Sequence, residues 1–375
     1  VRIAFADFSG WDFHAESVDV MPMGGSQSAA CHLARCLVRE GHEVFLISSV
    51  SSPGQYDGVT CLSWNRTDAA ALRSLNLDAM ICILTAGNGA AFRQILGPGT
   101  TLILWNQHAH DQPGVQALRN AGERAAYDGF AMVSDWQLEQ YNRCFGINRW
   151  RMAVMRNAIA PAFANLFSGH ESILGQKTMP PVLAYTSTPF RGLDLLLDAF
   201  GPIRKEIPSA RLRVYSSMRV YQTSAAEDEA AYGALYQRCR QMEGVEYVGS
   251  LPQPELAREL RSVAVLAYPN TFAETSCIGV MEALAAGCQV VTSELGALPE
   301  TGAGFARLIP IGQSRAAYLD PFMAQTIQIL RDIAARGDAL ELELRRQVDH
   351  MNHTAVWQVR ARQWIQWIHA LAVQR

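Results

Sequence analysis

Short apolar runs alternate with amphipathic stretches along almost the whole chain, and this rhythm limits the possible folds more than any other feature. Residues 3–6, 43–48, 79–84, 101–106 and 129–133 read as strands. Between them, Ala29, Ala30, Leu33, Ala34, Leu37 and Val38 fall on one helical face, and Gly41 ends that helix. Helices also fit 114–126 and 135–145. The second half repeats the pattern, with strands expected at 182–186, 212–216, 245–248, 263–268, 289–292 and 307–310. Helices are expected there at 193–207, 225–242, 253–260 and 276–286. Such alternation predicts parallel sheets covered on both faces. At 375 residues the chain is too long for one ordinary core. The expectation is two doubly wound α/β domains with a central cleft between facing sheet edges, because ligands bind beyond the carboxyl ends of such strands. The stretch from Asn157 to Pro181 has no strong period and holds Pro161, Gly169, Gly175, Pro180 and Pro181. The predicted layout is therefore a first domain at 1–160, a linker at 161–180, a second domain at 181–352 and a returning C-terminal helix at 353–375.

Composition narrows the functional classes. The formal net charge is −3, which argues against a protein held to nucleic acid mainly by phosphate contacts. The eight cysteines are scattered without a C-x-x-C pair, so no zinc or redox motif is signalled. A reducing cytoplasm is the simplest compartment. Residues 1–6 read as a first strand rather than a signal peptide. The longest apolar run, around 77–86, is far too short for a membrane span. The tail carries Trp357, Trp364 and Trp367, and the spacing from 357 to 364 keeps two indoles on one helix side. Packing across the domains is the first reading of that tail. A membrane-facing belt, hence peripheral membrane association, is the second.

The stretch 272–287 carries the most chemistry. It follows a strand ending near Tyr268, and a helix is expected from Ser276 to a stop at Gly287. Free amides at such a helix start hold an anion, helped by the dipole. Glu282 falls about six residues in, or ~9 Å along the axis, within reach of a ribose if a diphosphate sits at the helix start. Glu274 precedes the helix and could face the other end of the ligand. Spacing alone equally allows a surface glutamate beside an ordinary amphipathic helix.

The Glu274-x7-Glu282 pattern, with Ser276-Cys277-Ile278 and Glu282-Ala283-x-Ala285-Ala286-Gly287, resembles the donor-site signature of the retaining glycosyltransferases of family 4. Further markers extend the resemblance along most of the chain: Gly24-Gly25-Ser26, Val133-Ser134, Arg156-Asn157-Ala158, and the run from Tyr185 through Arg191-Gly192 to Asp194. It implies the GT-B architecture of two Rossmann-like domains. It also implies roles: Glu274 on hydroxyls of the donor sugar, the backbone of Thr275, Ser276, Cys277 and Ile278 on sugar and diphosphate, and Glu282 on the ribose. Arg191 stands where the family usually places a lysine on the diphosphate. Gly24 and Gly25 would let a loop approach the phosphates, and Leu251 belongs to the nucleobase-side loop. One departure stands out. The family places an arginine five or six residues before that lysine, where this chain has Tyr185 and Thr186, so the charge of the leaving group rests largely on Arg191. Arg219 could assist from another loop.

A second cluster, Trp105 to Pro113, follows the apolar run at 101–104. His108 is the first candidate beside the transferred sugar and His110 the second. His-x-His-Asp also looks like a ligand set, but no further partners cluster at metal spacing, and no metal or other cofactor is expected. Trp11, Phe13 and His14 suit a sugar-stacking surface or a lid anchor, so Trp11, His14, His110 and Asp111 are the acceptor-side candidates. The resemblance implies front-side transfer of a hexose from a nucleoside-diphosphate sugar to a hydroxyl of a glycan or small molecule, in bacterial polysaccharide synthesis. The alternatives are a non-catalytic nucleotide-sugar-binding protein and a sugar-nucleotide epimerase.

Overall fold

The structure, a computed structural model, describes residues 1–374; Arg375, the last residue of the expected 353–375 tail, lies outside them. The chain divides into two compact units. One comprises Val1–Val20, Gly24–Ala158 and the C-terminal stretch from Trp357, and the other comprises Ile159–Val356 with Met21–Met23.

The first unit runs β1 (Arg2–Asp7), α1 (Ser17–Val20), α2 (Gly25–Arg39), β2 (Glu43–Ser48), β3 (Gly54–Tyr56), β4 (Val59–Ser63), α3 (Ala69–Ser74), β5 (Ala79–Ile83), α4 (Gly89–Leu96), β6 (Thr101–Asn106), α5 (Ala121–Ala126), β7 (Gly129–Met132), α6 (Asp135–Phe145) and β8 (Met152–Val154). Its sheet has the order β3-β4-β2-β1-β5-β6-β7-β8, antiparallel only between β3 and β4. β5 and β6 are buried along their full length, which is why their sequences read as continuous apolar runs.

The second unit runs α7 (Ile173–Gln176), β9 (Val182–Tyr185), α8 (Leu193–Glu206), β10 (Arg211–Val214), α9 (Ala225–Gln241), β11 (Val245–Tyr247), α10 (Gln253–Ser262), β12 (Val265–Tyr268), α11 (Ile278–Ala285), β13 (Gln289–Ser293), α12 (Leu298–Thr301), β14 (Arg307–Ile309), α13 (Arg315–Ala335) and α14 (Asp338–Thr354). Its sheet is parallel with the order β11-β10-β9-β12-β13-β14. Both units are thus Rossmann-like α/β layers, as the alternation predicts.

Several expected bounds shift. The helix expected at 114–126 is broken at Asn120, whose side chain accepts the Gly122 amide and starts α5 after a 3-10 turn at Pro113–Arg119. β3 and β8 span three residues each and β4 five, too short to stand out in the sequence. The stretch 161–180, expected as a linker, folds inside the second unit, where Phe163, Phe167, Ile173 and Leu174 are buried. The C-terminal helix expected at 353–375 begins at Trp357, and two further helices precede it. Arg336, at φ +50°, and Gly337 separate α13 from α14, and α15 (Trp357–Val373) belongs to the first unit. There α15 buries Trp357, Ala361, Trp364, Ile368 and Leu371. Trp364 meets Trp105 edge-on, with ring centroids 5.2 Å apart. Two of the three tail indoles are therefore core residues and offer nothing to a lipid surface. No helix among the described residues is long and apolar enough to cross a membrane.

Candidate functional site

In the second sheet the chain leaves β9 toward β10 and leaves β12 toward β13, in opposite directions. The loops beyond these two strands diverge there, and such a switch point forms a crevice suited to a ligand. Arg191 ends the 3-10 turn Pro189–Arg191 in the first of these loops. Gly192 follows at φ +107°, and a Cβ there would lie 2.2 Å from the Pro269 carbonyl of the second loop. Glycine at 192 therefore allows the two loops to touch.

That contact brings Arg191 to Glu274. Arg191 Nη1 forms an ion pair with Glu274 Oε1, and the Tyr268 hydroxyl donates to the same oxygen at 2.6 Å. The Arg191 guanidinium lies 4.6 Å from the Phe272 ring centroid and 5.5 Å from that of Phe190. Its Nε is buried without a hydrogen-bond partner. Burial works against the charge of Arg191, yet Glu274, with Tyr268, Tyr221 and Cys277, holds its pKa well above the ordinary value. The Glu274 backbone is pinned as well. Its carbonyl accepts the Ala297 amide at 2.7 Å. Gly296 (φ +61°) packs so closely that a Cβ there would come within 2.3 Å of the Glu274 carbonyl oxygen. Asn270 shapes the same loop, its Oδ1 accepting the Phe272 amide at 2.9 Å.

Helix α11 starts at Ile278, two residues later than expected, with Cys277 at the N-cap and no side chain capping it. The Val280 amide closes on the Cys277 carbonyl at 3.1 Å, and the two amides before it are of the kind a helix start offers to an external acceptor. Glu282 is then the fifth helical residue, roughly 6 Å along the axis. It is buried, accepting Gln253 Nε2 at 2.7 Å and the Ala160 amide at 3.3 Å on Oε1. Burial pushes its pKa up to about 8, against the opposing pull of those two hydrogen bonds. The far end of α11 is closed by side chains. Lys177 Nζ donates to the Ala286 carbonyl at 2.6 Å, and Gln347 Nε2 donates to Leu284 and Cys288 at 2.8 and 3.0 Å. Thr275 is buried, whereas Ser276, Cys277, Ile278 and Leu251 are half-buried. Arg219 is exposed, and Tyr221 of the same short turn is among the groups that raise the Arg191 pKa.

The first-unit candidates are arranged separately. Gly24 is the extended N-cap of α2, and Gly25 is its exposed first residue. In the loop after β6 the His108 amide donates to Asn106 Oδ1 at 2.7 Å, and its carbonyl accepts Gln137 and Tyr141 at 2.8 and 2.9 Å. Burial lowers the His108 pKa, so the ring is neutral near pH 7, and its Nδ1 is buried without a partner. His110 also has an unpartnered buried Nδ1, and Asp111 is exposed. His14 stacks on Tyr56 at 3.7 Å and its Nδ1 accepts the Glu16 amide; it ties its loop to β3. Trp11 is half-buried, and Phe13 is a core residue rather than the stacking surface expected of it.

Tyr268, Gln253 and Gly296 were not among the sequence candidates, nor were Asp7 and Gln137 of the first unit. Asp7 is buried at the end of β1 and accepts Gln27 Nε2 of α2 at 3.0 Å. The only sequence signal for any of these was position, at a strand end or helix start. Among the described residues, no three or more His, Cys, Asp or Glu side chains are arranged to hold a metal.

Residues 180–320 match the family model described as "Glycosyl transferases group 1". That match lies within the second unit and covers 141 of the 375 residues. It runs from β9 to the start of α13 and includes Arg191, Glu274 and Glu282, and together with the fold it makes the chain a transferase enzyme, a glycosyltransferase. The whole chain has the GT-B fold. It resembles sucrose-phosphate synthase from Thermosynechococcus elongatus, with TM-score 0.70 and 17% identity over 100% of both chains. A glycosyltransferase from Rickettsia africae gives TM-score 0.72 and 11% identity, over 99% of this chain and 98% of that one. HepE of Anabaena, solved in complex with UDP and glucose, gives 0.66 and 14% over 98% and 99%. No curated protein matches the sequence.

Proposed function

We propose that this GT-B enzyme is a retaining hexosyltransferase that moves a sugar from a nucleoside-diphosphate donor to a hydroxyl of a glycan or small-molecule acceptor. One observation supports this above the others: at the β9–β12 switch point, an arginine whose buried Nε has no partner, a pinned carboxylate and an uncapped helix start converge. In this reading the α11 amides and Arg191 hold the diphosphate, Glu274 accepts sugar hydroxyls, and Glu282, oriented by Gln253, accepts ribose hydroxyls. The acceptor oxygen attacks the anomeric carbon on the face the diphosphate leaves, and the bond from that carbon to the phosphate oxygen breaks. The acceptor proton passes to the departing phosphate, giving a glycoside and a nucleoside diphosphate. Stabilising the departing charge is the protein's main task, and the reaction is proposed to need no metal. His108 is assigned to the sugar, and Trp11, His14, His110 and Asp111 to the acceptor, on the family resemblance. HepE, solved in complex with UDP and glucose, makes UDP-glucose a sensible first donor to test. A cytoplasmic setting accords with such donors.

The test is release of nucleoside diphosphate from a panel of UDP-, GDP- and ADP-sugars, with and without EDTA. Arg191→Ala should lower kcat/KM with the best donor by about 100-fold or more while leaving circular dichroism unchanged. Near-normal turnover in that variant would sink the assignment. Tight donor binding without turnover across a broad acceptor set would instead favour a non-catalytic sugar-nucleotide binder, a reading to which the absence of a second clamp cation lends some weight.

A further inference from the structure

Tyr185 occupies one of the two positions where the resemblance expects a second diphosphate-binding cation. The structure shows what it does instead. Tyr185 ends β9 and is fully buried. Its hydroxyl donates at 2.7 Å to the carbonyl of Thr188, the residue that opens the turn carrying Arg191. Its ring meets that of Tyr268 edge-on, with centroids 5.9 Å apart at 63°. Tyr268 ends β12, the neighbouring strand, and its hydroxyl holds Glu274 Oε1. One tyrosine therefore supports the arm that carries the arginine, and also supports the tyrosine that holds the arm's carboxylate partner.

We propose that Tyr185 and Tyr268 are positioning residues, an aromatic brace that holds Arg191 and Glu274 as one preassembled unit in the place where a second cation would otherwise stand. This rests on the donor reading above. A lone arginine on a flexible stem loses rotamer freedom when it grips a phosphate. The brace removes much of that freedom beforehand. Nη1 is fixed on Glu274, the guanidinium lies against Phe272, and Nε is buried with its hydrogen bond unmade. The brace also gives Glu274 Oε1 two donors, so its orientation toward a sugar does not depend on Arg191 alone. The two tyrosines act on different halves of the donor. Tyr268 touches the carboxylate, and Tyr185 touches the loop that bears the arginine.

Titration calorimetry of the wild-type chain with UDP, GDP and ADP identifies the preferred base. Tyr268→Phe and Tyr185→Phe are then titrated with that diphosphate and assayed with its glucosyl ester. Both changes keep the ring, and the melting temperature of each variant controls for folding. Tyr268→Phe is expected to leave the diphosphate Kd within about threefold and to lower kcat about tenfold, the effect of one hydrogen bond to a charged group. Tyr185→Phe is expected to weaken the diphosphate itself by about fivefold or more. Parallel losses of Kd and kcat in Tyr268→Phe, or no change in either variant, would overturn the brace. Failure of the wild-type chain to bind any of the three diphosphates would instead overturn the donor reading, and the brace with it.

Discussion

Glu282 is an acid held where its charge is disfavoured, and that has a measurable cost. Its folded pKa of about 8 lies above the ordinary 4.5. Below about pH 4.5 both folded and unfolded chains carry the proton, and there is no penalty. Between 4.5 and 8 the unfolded chain loses the proton while the folded chain keeps it. Stability therefore falls as pH rises through this window, by at most about 1.4 kcal/mol per pH unit from this one group. Above 8 the penalty is complete. Glu282→Gln mimics the protonated acid and keeps an oxygen for Gln253 and the Ala160 amide. The variant should match wild type near pH 5 and melt higher at pH 8, by about 3 °C or more. Melting curves at pH 5 to 9 test this, and a difference that does not change with pH would refute the buried, protonated state.

Helix α11 is the element on which the proposed donor site depends, and its two ends are treated in opposite ways. The start is bare for a ligand, while the end is closed by Lys177 and Gln347 from outside the helix. Gln347→Leu leaves the Leu284 and Cys288 carbonyls buried without that donor. It should cost about 1–3 kcal/mol and speed hydrogen exchange in the last turn of α11, as followed by mass spectrometry. Unchanged exchange there would mean that the glutamine is not what closes the helix. Much of this element was legible in the sequence: the strand before it, the stop at Gly287, and Glu274 and Glu282 on either side of its start. What was not legible came from contacts between distant segments. The ion pair of Arg191 with Glu274 depends on Gly192 letting two loops meet, and the pinning of Glu274 depends on Gly296 and Ala297 beyond the next strand. The same holds for the fold. Apolar runs such as β5 and β6 announce themselves because both faces are covered. The segment 161–180 looked like a linker because its buried residues follow no period. Phe13 looked like a surface aromatic only because it stands in a loop beside Trp11 and His14.

At the scale of the whole chain, the first unit is built from both ends of the sequence. Its opening strands and α2 come first, and α15 is added at the end to cover Trp105. Trp364→Ala should remove about 3–5 kcal/mol from that unit. Hydrogen exchange should rise across α2 and β6 and stay unchanged across β9 to β14, and a uniform rise over both units would contradict this assignment of α15. A consequence follows for synthesis on the ribosome. Roughly 200 residues of the second unit, Ile159–Val356, emerge between the first unit's strands and the helix that completes it. At about 5–20 residues per second the nascent first unit waits some ~10–40 s with the Trp105 side of its sheet uncovered. The second unit can mature in sequence as it leaves the ribosome. The first must be kept from sticking to its neighbours until the seventeen-residue α15 arrives, so a late-made helix decides when an early-made sheet is finished.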